Sequence, residues 1–221
     1  MTNLHFEAVI FDFDGTICDS VNVKETVFGK LYENYGDDVV KRVKKYHIDN
    51  SGVSRIHKFS YYQKHVVQED YSENKINELS RKFSSLVTKK VIEAPLINGA
   101  LEFLEKNFNS THLYLSSATP QQELEKIVKN KNLSNYFQSI FGSPKDKIKH
   151  IEEILSLGSH DIDKTVYVGD SVNDLIAAKA ANISFIGVGK ENFFGEEVLS
   201  IDDLTELEDI LKERAYESRE L

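Results

Sequence analysis

Asp12 and Asp14 stand two residues apart behind the apolar run AVIF, in the stretch AVIFDFDGTICDS. In an extended chain that spacing points both carboxylates the same way, and Gly15 behind them lets the backbone turn sharply. Carboxylates held side by side repel unless a proton or a cation intervenes. A surface loop carrying two acids is the bland alternative; the fully apolar strand expected in front of the pair argues against it. A second pair, Asp170 and Asp174, follows another apolar run in VYVGDSVND. A helix N-cap role for Asp170 or Ser171 would accompany this turn without accounting for both acids. Neither cluster contains His or Cys, and hard oxygen donors of this kind suit Mg²⁺ better than zinc. Asp12, Asp14, Asp170 and Asp174 are therefore the expected metal-binding residues.

For these side chains to meet, the segments carrying them must lie in one sheet. Apolar runs at 8–14, 113–117, 139–142, 166–170 and 183–189 read as strands covered on both faces. Helical spacing appears between the last four: Leu124, Ile127 and Val128; Ile148, Ile151 and Leu155; Leu175, Ala178 and Ala181. Strand and helix in alternation predict right-handed βαβ units and a doubly wound parallel sheet, whose ligands sit outside the carboxyl ends of the strands where strand order reverses. Almost a hundred residues separate the first two strands, too many for one crossover. From Ser20 to about Val91 the pattern is helical, with Asn22 and Glu25 as a helix-start signal and Ile76, Leu79, Phe83 and Leu86 as a late apolar stripe. The expected organisation is an α/β core over 1–17 and 93–221 with a helical cap inserted at 18–92. The tail 202–221 reads as a terminal amphipathic helix.

The chain has 221 residues, with 27 Lys and Arg against 36 Asp and Glu, a net charge of −9. That balance disfavours binding by counterion release from a phosphate backbone, so nucleic acid is not an expected partner. No apolar stretch approaches the roughly 20 residues needed to span a bilayer. Cys18 is the single cysteine and the first residues lack a basic leader pattern, so a cytoplasmic setting is expected. The acidic stretch from Glu196 to Glu220 reads as solvated surface.

Taken in order, these motifs resemble those of the haloacid dehalogenase superfamily, in the phosphoglycolate-phosphatase-like branch with a helical cap after the first strand. The resemblance spans essentially the whole chain and implies a Rossmann-like core. DFDGT at 12–16 resembles the first motif, which implies Asp12 as nucleophile and Asp14 as general acid/base, with Gly15 and Thr16 beside the substrate phosphate. Ser117, ahead of Ala118, resembles the second, in which a hydroxyl and adjacent backbone amides hold phosphoryl oxygens. The third is a lysine opening a helix, for which SPKDKIKHI offers Lys145 and Lys147; Lys147, three residues after the Ser-Pro turn, is the better match. A solvated helix face is the alternative for either. GDSVND resembles the fourth, implying Asp170 as a Mg²⁺ ligand and Asp174 as ligand or support.

The implied chemistry is coherent by itself. A carboxylate attacking phosphorus splits one hard displacement into two easier ones. A dianionic ester and an anionic nucleophile repel, so a metal and a lysine must neutralise the site. The expected activity is Mg²⁺-dependent hydrolysis of a small phosphorylated metabolite through an aspartyl-phosphate. Asp14 and the motif set separate the chain from the phosphonoacetaldehyde hydrolases and haloacid dehalogenases, which lack the second aspartate. GVSR at 52–55 resembles the cap loop of β-phosphoglucomutase, but Lys24 stands where that family carries a histidine, twelve residues beyond the nucleophile, and Ser51 where it usually has lysine. A phosphosugar mutase is the alternative, and a non-catalytic regulatory protein of the same fold a further one. Arg55 is a candidate for gripping a distal anionic group of the substrate, against an ordinary exposed arginine. The histidines read as structural or surface residues. Phe59, Tyr61, Tyr62 and Tyr71 read as packing of the small lobe.

Overall fold

The computed structural model describes residues 6–189, 194 and 198–217, with side chains up to residue 213. Its sheet has six parallel strands, β1 (Ala8–Phe11), β2 (His112–Pro120), β3 (Ser139–Ser143), β4 (Thr165–Gly169), β5 (Ser184–Val188) and β6 (Ser200–Ile201), in the order β3-β2-β1-β4-β5-β6. Every residue of β1 is buried, because alternate side chains enter two different cores. Val9 and Phe11 pack with Leu113, Leu115, Val166 and Val168 on one face, while Ala8 and Ile10 pack with Tyr114, Tyr167 and Phe185 on the other. A strand wet on one face would have alternated with polar residues; this one cannot.

Four helices lie between β1 and the rest of the sheet: α1 (Val21–Leu31), α2 (Asp37–Asp49), α3 (Arg55–Tyr61), which runs into a wider π-helical turn at Tyr62–Val67, and α4 (Glu73–Glu93). They form the helical cap, and its core is aromatic. The Phe28 and Phe83 rings lie 4.2 Å apart, and Tyr46 stacks on Tyr61 at 3.7 Å; such pairs add about 0.5–1.5 kcal/mol each beyond the area they bury. Phe59 and Tyr62 are buried, as expected, but Tyr71 is 57% exposed. The α4 stripe buries Ile76, Leu79 and Phe83 and then drifts to Val87 and Val91, leaving Leu86 half-buried.

The chain returns through α5 (Ala100–Asn107), which the sequence reading did not anticipate, and continues with α6 (Gln121–Asn130), α7 (Lys147–Gly158), α8 (Val172–Ala180) and α9 (Leu207–Glu217). The expected terminal helix is α9; residues 218–221, like Glu196 and Glu197 of the acidic stretch, lie outside the described residues. β6 was also missed, having two residues and thus no periodicity to read. Among the described residues no helix is long and apolar enough to cross a membrane.

Candidate active site

β1 and β4 are neighbours in the sheet, with Phe11 beside Val168, and the chain leaves β1 in one direction to β2 and is met from the other by β4. This is where strand order reverses, so the residues just past both strands share one crevice. Asp12 follows β1 and Asp170 follows β4. The Asp12 amide donates to the Val168 carbonyl at 2.9 Å, which carries the strand pairing up to the carboxylate. Gly15 has φ +85°, and a Cβ there would lie 2.2 Å from Asp170 Oδ2. The turn therefore requires glycine twice, for its left-handed backbone and for the space that Asp170 fills.

Lys147 is the first residue of α7 and is buried; its Nζ lies 2.9 Å from Asp12 Oδ1 and 2.5 Å from Asp174 Oδ1. Asp174, in the first turn of α8, uses its other oxygen to accept from the Ser171 amide at 3.1 Å and hydroxyl at 2.6 Å. That reciprocal cap fixes the helix start and the carboxylate together. Oxygens of Asp12, Asp170 and Asp174 lie within 4.8 Å of one another. Burial pushes the Asp12 carboxyl up to about 7 against the pull of Lys147, with Asp174 and Asp14 adding to the push. Asp170 is held well above the usual carboxylate range by burial and then by Asp12 and Asp174. For Lys147 burial alone would lower the pKa, but the Asp12 and Asp174 carboxylates outweigh it and hold the ammonium well above its ordinary value.

Three carboxylates against one ammonium leave this trio short of positive charge, and the buried Asp170 Oδ1 has no hydrogen-bond partner. The donor set is all oxygen, so these residues fit a hard divalent cation. The carboxylate of Asp14 stands apart from them. It accepts from Ser20 Oγ at 2.6 Å on one oxygen, and from Lys24 Nζ at 2.5 Å and Thr119 Oγ1 at 3.2 Å on the other. Burial would raise Asp14, but the Lys24 charge and these hydrogen bonds hold it below its usual range. Ser20 occupies the N-cap position of α1 without capping it; its hydroxyl goes to Asp14 instead.

The remaining sequence-derived positions divide. Ser117 is buried at the end of β2, its Oγ accepting from the Thr119 amide at 3.1 Å, and Ala118 lines the same cavity as Asp12. Thr16 is buried with its hydroxyl unpaired. Lys145 points away, pairing with Glu153 at 2.7 Å on the surface. Of the two candidate lysines, Lys147 is the one at the carboxylates. Arg55 is neither exposed nor free. Its guanidinium grips Glu123 of α6 with both nitrogens, at 2.9 and 2.5 Å, donates to Ser84 at 2.8 Å and lies over the Phe83 ring. The Arg55 and Ser84 contacts hold Glu123 below the usual carboxylate range despite its burial.

The cavity between cap and core, which adjoins a second of about 250 Å³ at Gly52, Val53, Ala118 and Lys147, is lined by residues that sequence reasoning passed over as site residues: Lys24 from α1, His47 from α2 and Lys58 from α3. One signal was available, since Ser20, Lys24 and Phe28 recur at four-residue steps and share one helix face. His47, read from the sequence with the other histidines as structural or surface, is buried and lines this cavity beside Lys58.

The comparisons with known proteins agree with this geometry. The chain is 29% identical to a phosphoglycolate phosphatase of Neisseria meningitidis, over 91% of this chain and 87% of that one. It is 26% identical to a phosphorylated carbohydrates phosphatase of Thermotoga maritima, over 81% and 83%. In fold it resembles a β-phosphoglucomutase of Clostridium difficile, with a TM-score of 0.81 at 19% identity, covering 98% of this chain and all of that one. The model of the haloacid dehalogenase-like hydrolases matches residues 9–188, from the first residues of β1 to the end of β5, and the chain belongs to that family.

Proposed function

We propose that this enzyme hydrolyses the phosphomonoester of a small metabolite through an aspartyl-phosphate on Asp12, with Mg²⁺ held by Asp12, Asp170 and Asp174. The observation that carries this reading is the convergence of those three carboxylates with Lys147 at the reversal of strand order. The relatives named above act, by their names, on phosphoglycolate and on phosphorylated carbohydrates, in keeping with a small phosphorylated substrate. Mg²⁺ bound there would supply positive charge to the phosphoryl oxygens and relieve their repulsion from the nucleophile.

The chain's own groups do the rest. Asp12 attacks phosphorus, the ester P–O bond breaks, and the leaving oxygen takes a proton from Asp14, which must enter this half protonated, against the pull of Lys24. Water then attacks the phosphorus of the acyl phosphate, Asp14 takes its proton, and phosphate leaves as Asp12 is restored. The paired carboxylate of Asp14 suits this second half, and because its side chain lies outside the trio its role here is the proton rather than the metal. Lys147 orients Asp12 and meets a phosphoryl oxygen, while Ser117 and the amide of Ala118 hold others. Cap residues that line the cavity beside Asp12 would limit bulk water at the acyl phosphate, and movement of the cap would admit substrate.

The test is phosphate release from an aryl phosphate with Mg²⁺, with EDTA, and with Asp12→Asn. Chelation should abolish turnover and Mg²⁺ restore it, and the substitution should reduce kcat at least about a thousandfold. A variant as active as the parent would remove Asp12 as nucleophile. Magnesium binding without turnover of any phosphate ester would leave the non-catalytic alternative.

A further inference from the structure

The cap contributes three cations to the cavity wall, and two of them are already matched by carboxylates. Arg55 is paired with Glu123, and Lys24 with Asp14. Lys58 is different. It is 3% exposed, and its Nζ donates to His47 Nδ1 at 2.7 Å and to the His47 carbonyl at 3.2 Å. Both acceptors are neutral, because burial and the Lys58 charge push the His47 imidazole down to about 3. Among the described residues no carboxylate lies within 4.0 Å of Lys58, and its third N–H has no acceptor. Asp14 and Asp170 act on it only from a distance and its Nζ lies 5.8 Å from the centre of the Phe28 ring, and a buried ammonium without a carboxylate in contact is destabilising unless something supplies one. Lys58 lines the same cavity as Asp12 and Lys147, so what supplies it can come with the substrate.

We propose that Lys58 is the receptor for a carboxylate carried by the substrate a few atoms from its phosphorus. This names the substrate class within the phosphatase reading above and rests on it. Arg55, which the resemblance of GVSR to a mutase loop would give this task, is unavailable: a second anion brought to it would meet the Glu123 carboxylate. The substrate must also be short. The cap loop presses on the core so closely that a Cβ on Gly52 would lie 2.7 Å from Ser171 Oγ, and Asn173 donates to the Ser51 carbonyl across the same junction at 2.5 Å. Lys58 offers a single charge and one N–H without an acceptor, which a carboxylate matches and a dianionic phosphoryl group exceeds. Burial and the neighbouring Lys24 charge lower Lys58 to about 7, and an arriving carboxylate restores its proton.

Two compounds of similar size test this: phosphoglycolate, and ethyl phosphate, which lacks the carboxylate. The wild-type enzyme should show at least a tenfold higher kcat/KM for phosphoglycolate. Lys58→Met should cut that preference at least tenfold, by reducing phosphoglycolate turnover more than ethyl phosphate turnover, and Lys58→Arg should recover part of it. Equal kcat/KM for the two compounds in the wild type would overturn the proposal. So would a Lys58→Met enzyme with the parent's preference, or a stronger response to a bisphosphate. Should neither ester be hydrolysed, the phosphatase reading has failed on its own, and calorimetric binding to the wild-type protein still decides for Lys58: tighter phosphoglycolate binding supports it, equal binding refutes it.

Discussion

The two walls of the cavity carry opposite charge surpluses. On the core wall three carboxylates share one lysine; on the cap wall three cations meet Asp14 and Glu123 alone, both supplied from the core side. The core surplus is concentrated where two adjacent strands end, and a single divalent ion would neutralise it. The cap surplus is spread over α1 and α3, one side chain per turn or per helix, and would be met by an anion entering from solvent. On the proposed function, chemistry that every substrate needs would be built on the sheet, and contacts that distinguish one substrate from another on the inserted helices.

If that division holds, substitutions on the two walls should fail differently, with the largest loss on the core. Lys147→Met removes the charge beside Asp12, the proposed nucleophile, and kcat should fall about 10²–10³-fold, as for loss of a transition-state donor. Lys24→Met removes a neighbour of Asp14 and should lower kcat by less. Steady-state kinetics with Mg²⁺ saturating decide it; equal losses would erase the distinction between the walls.

Next in size is the joint between them. Arg55 and Glu123 are both nearly buried, at 5% and 7% side-chain exposure. Glu123→Gln leaves a buried guanidinium without its counter-charge, which should destabilise the protein by about 3–5 kcal/mol. Replacing both residues by apolar ones of similar volume should restore most of the loss. Urea unfolding of the two variants measures this, and a single variant as stable as the parent would mean the pair is not what joins cap to core.

These cases also show what a sequence can carry. That Asp12, Asp170 and Asp174 converge was legible because two strand ends fix their spacing, whereas Asp14, expected in the same metal-binding set, has its carboxylate turned to Ser20, Lys24 and Thr119. Lys147 was ambiguous with Lys145, two residues away, because only the start of α7 separates a buried from a solvated lysine. The Arg55–Glu123 pair joins residues 68 apart, and nothing local marks either partner. Lys58 lies on α3 among aromatic residues that read as packing, and packing is what most of them do; its function depends on which helix it faces, which periodicity does not reveal. α5 and β6 escaped for the simpler reason that they are short.

A smaller effect belongs to Lys58 in the absence of any substrate. Its pKa is lowered mainly by burial, to about 7, against roughly 10.4 in an unfolded chain. Between those values the unfolded state binds more protons than the folded one, so stability should rise as pH increases from about 7 toward 10. Below about 7 the penalty is complete and the slope from this group vanishes. Urea midpoints at pH 7.5 and 9.5 should differ in that direction, and Lys58→Met should flatten the difference. A slope unchanged by the substitution would show that Lys58 is charged in the folded protein at neutral pH and has found a counter-charge.

The smallest expected effect is the most useful control on the core wall. Lys145 is exposed, 57% by side chain, and its partner Glu153 is 38% exposed. Exposed pairs of this kind contribute about 0–1 kcal/mol, since solvent screens the charges and holding two long side chains costs entropy. Lys145→Ala should therefore leave urea stability and kcat/KM nearly as they were, while Lys147→Met, two residues on, disables the enzyme. The two lysines start from the same sequence motif, and only the burial of one beside Asp12 and Asp174 separates them. A large loss from Lys145→Ala would mean that the site in solution is arranged around a different lysine, and the whole assignment of the core wall would have to be rebuilt from that residue.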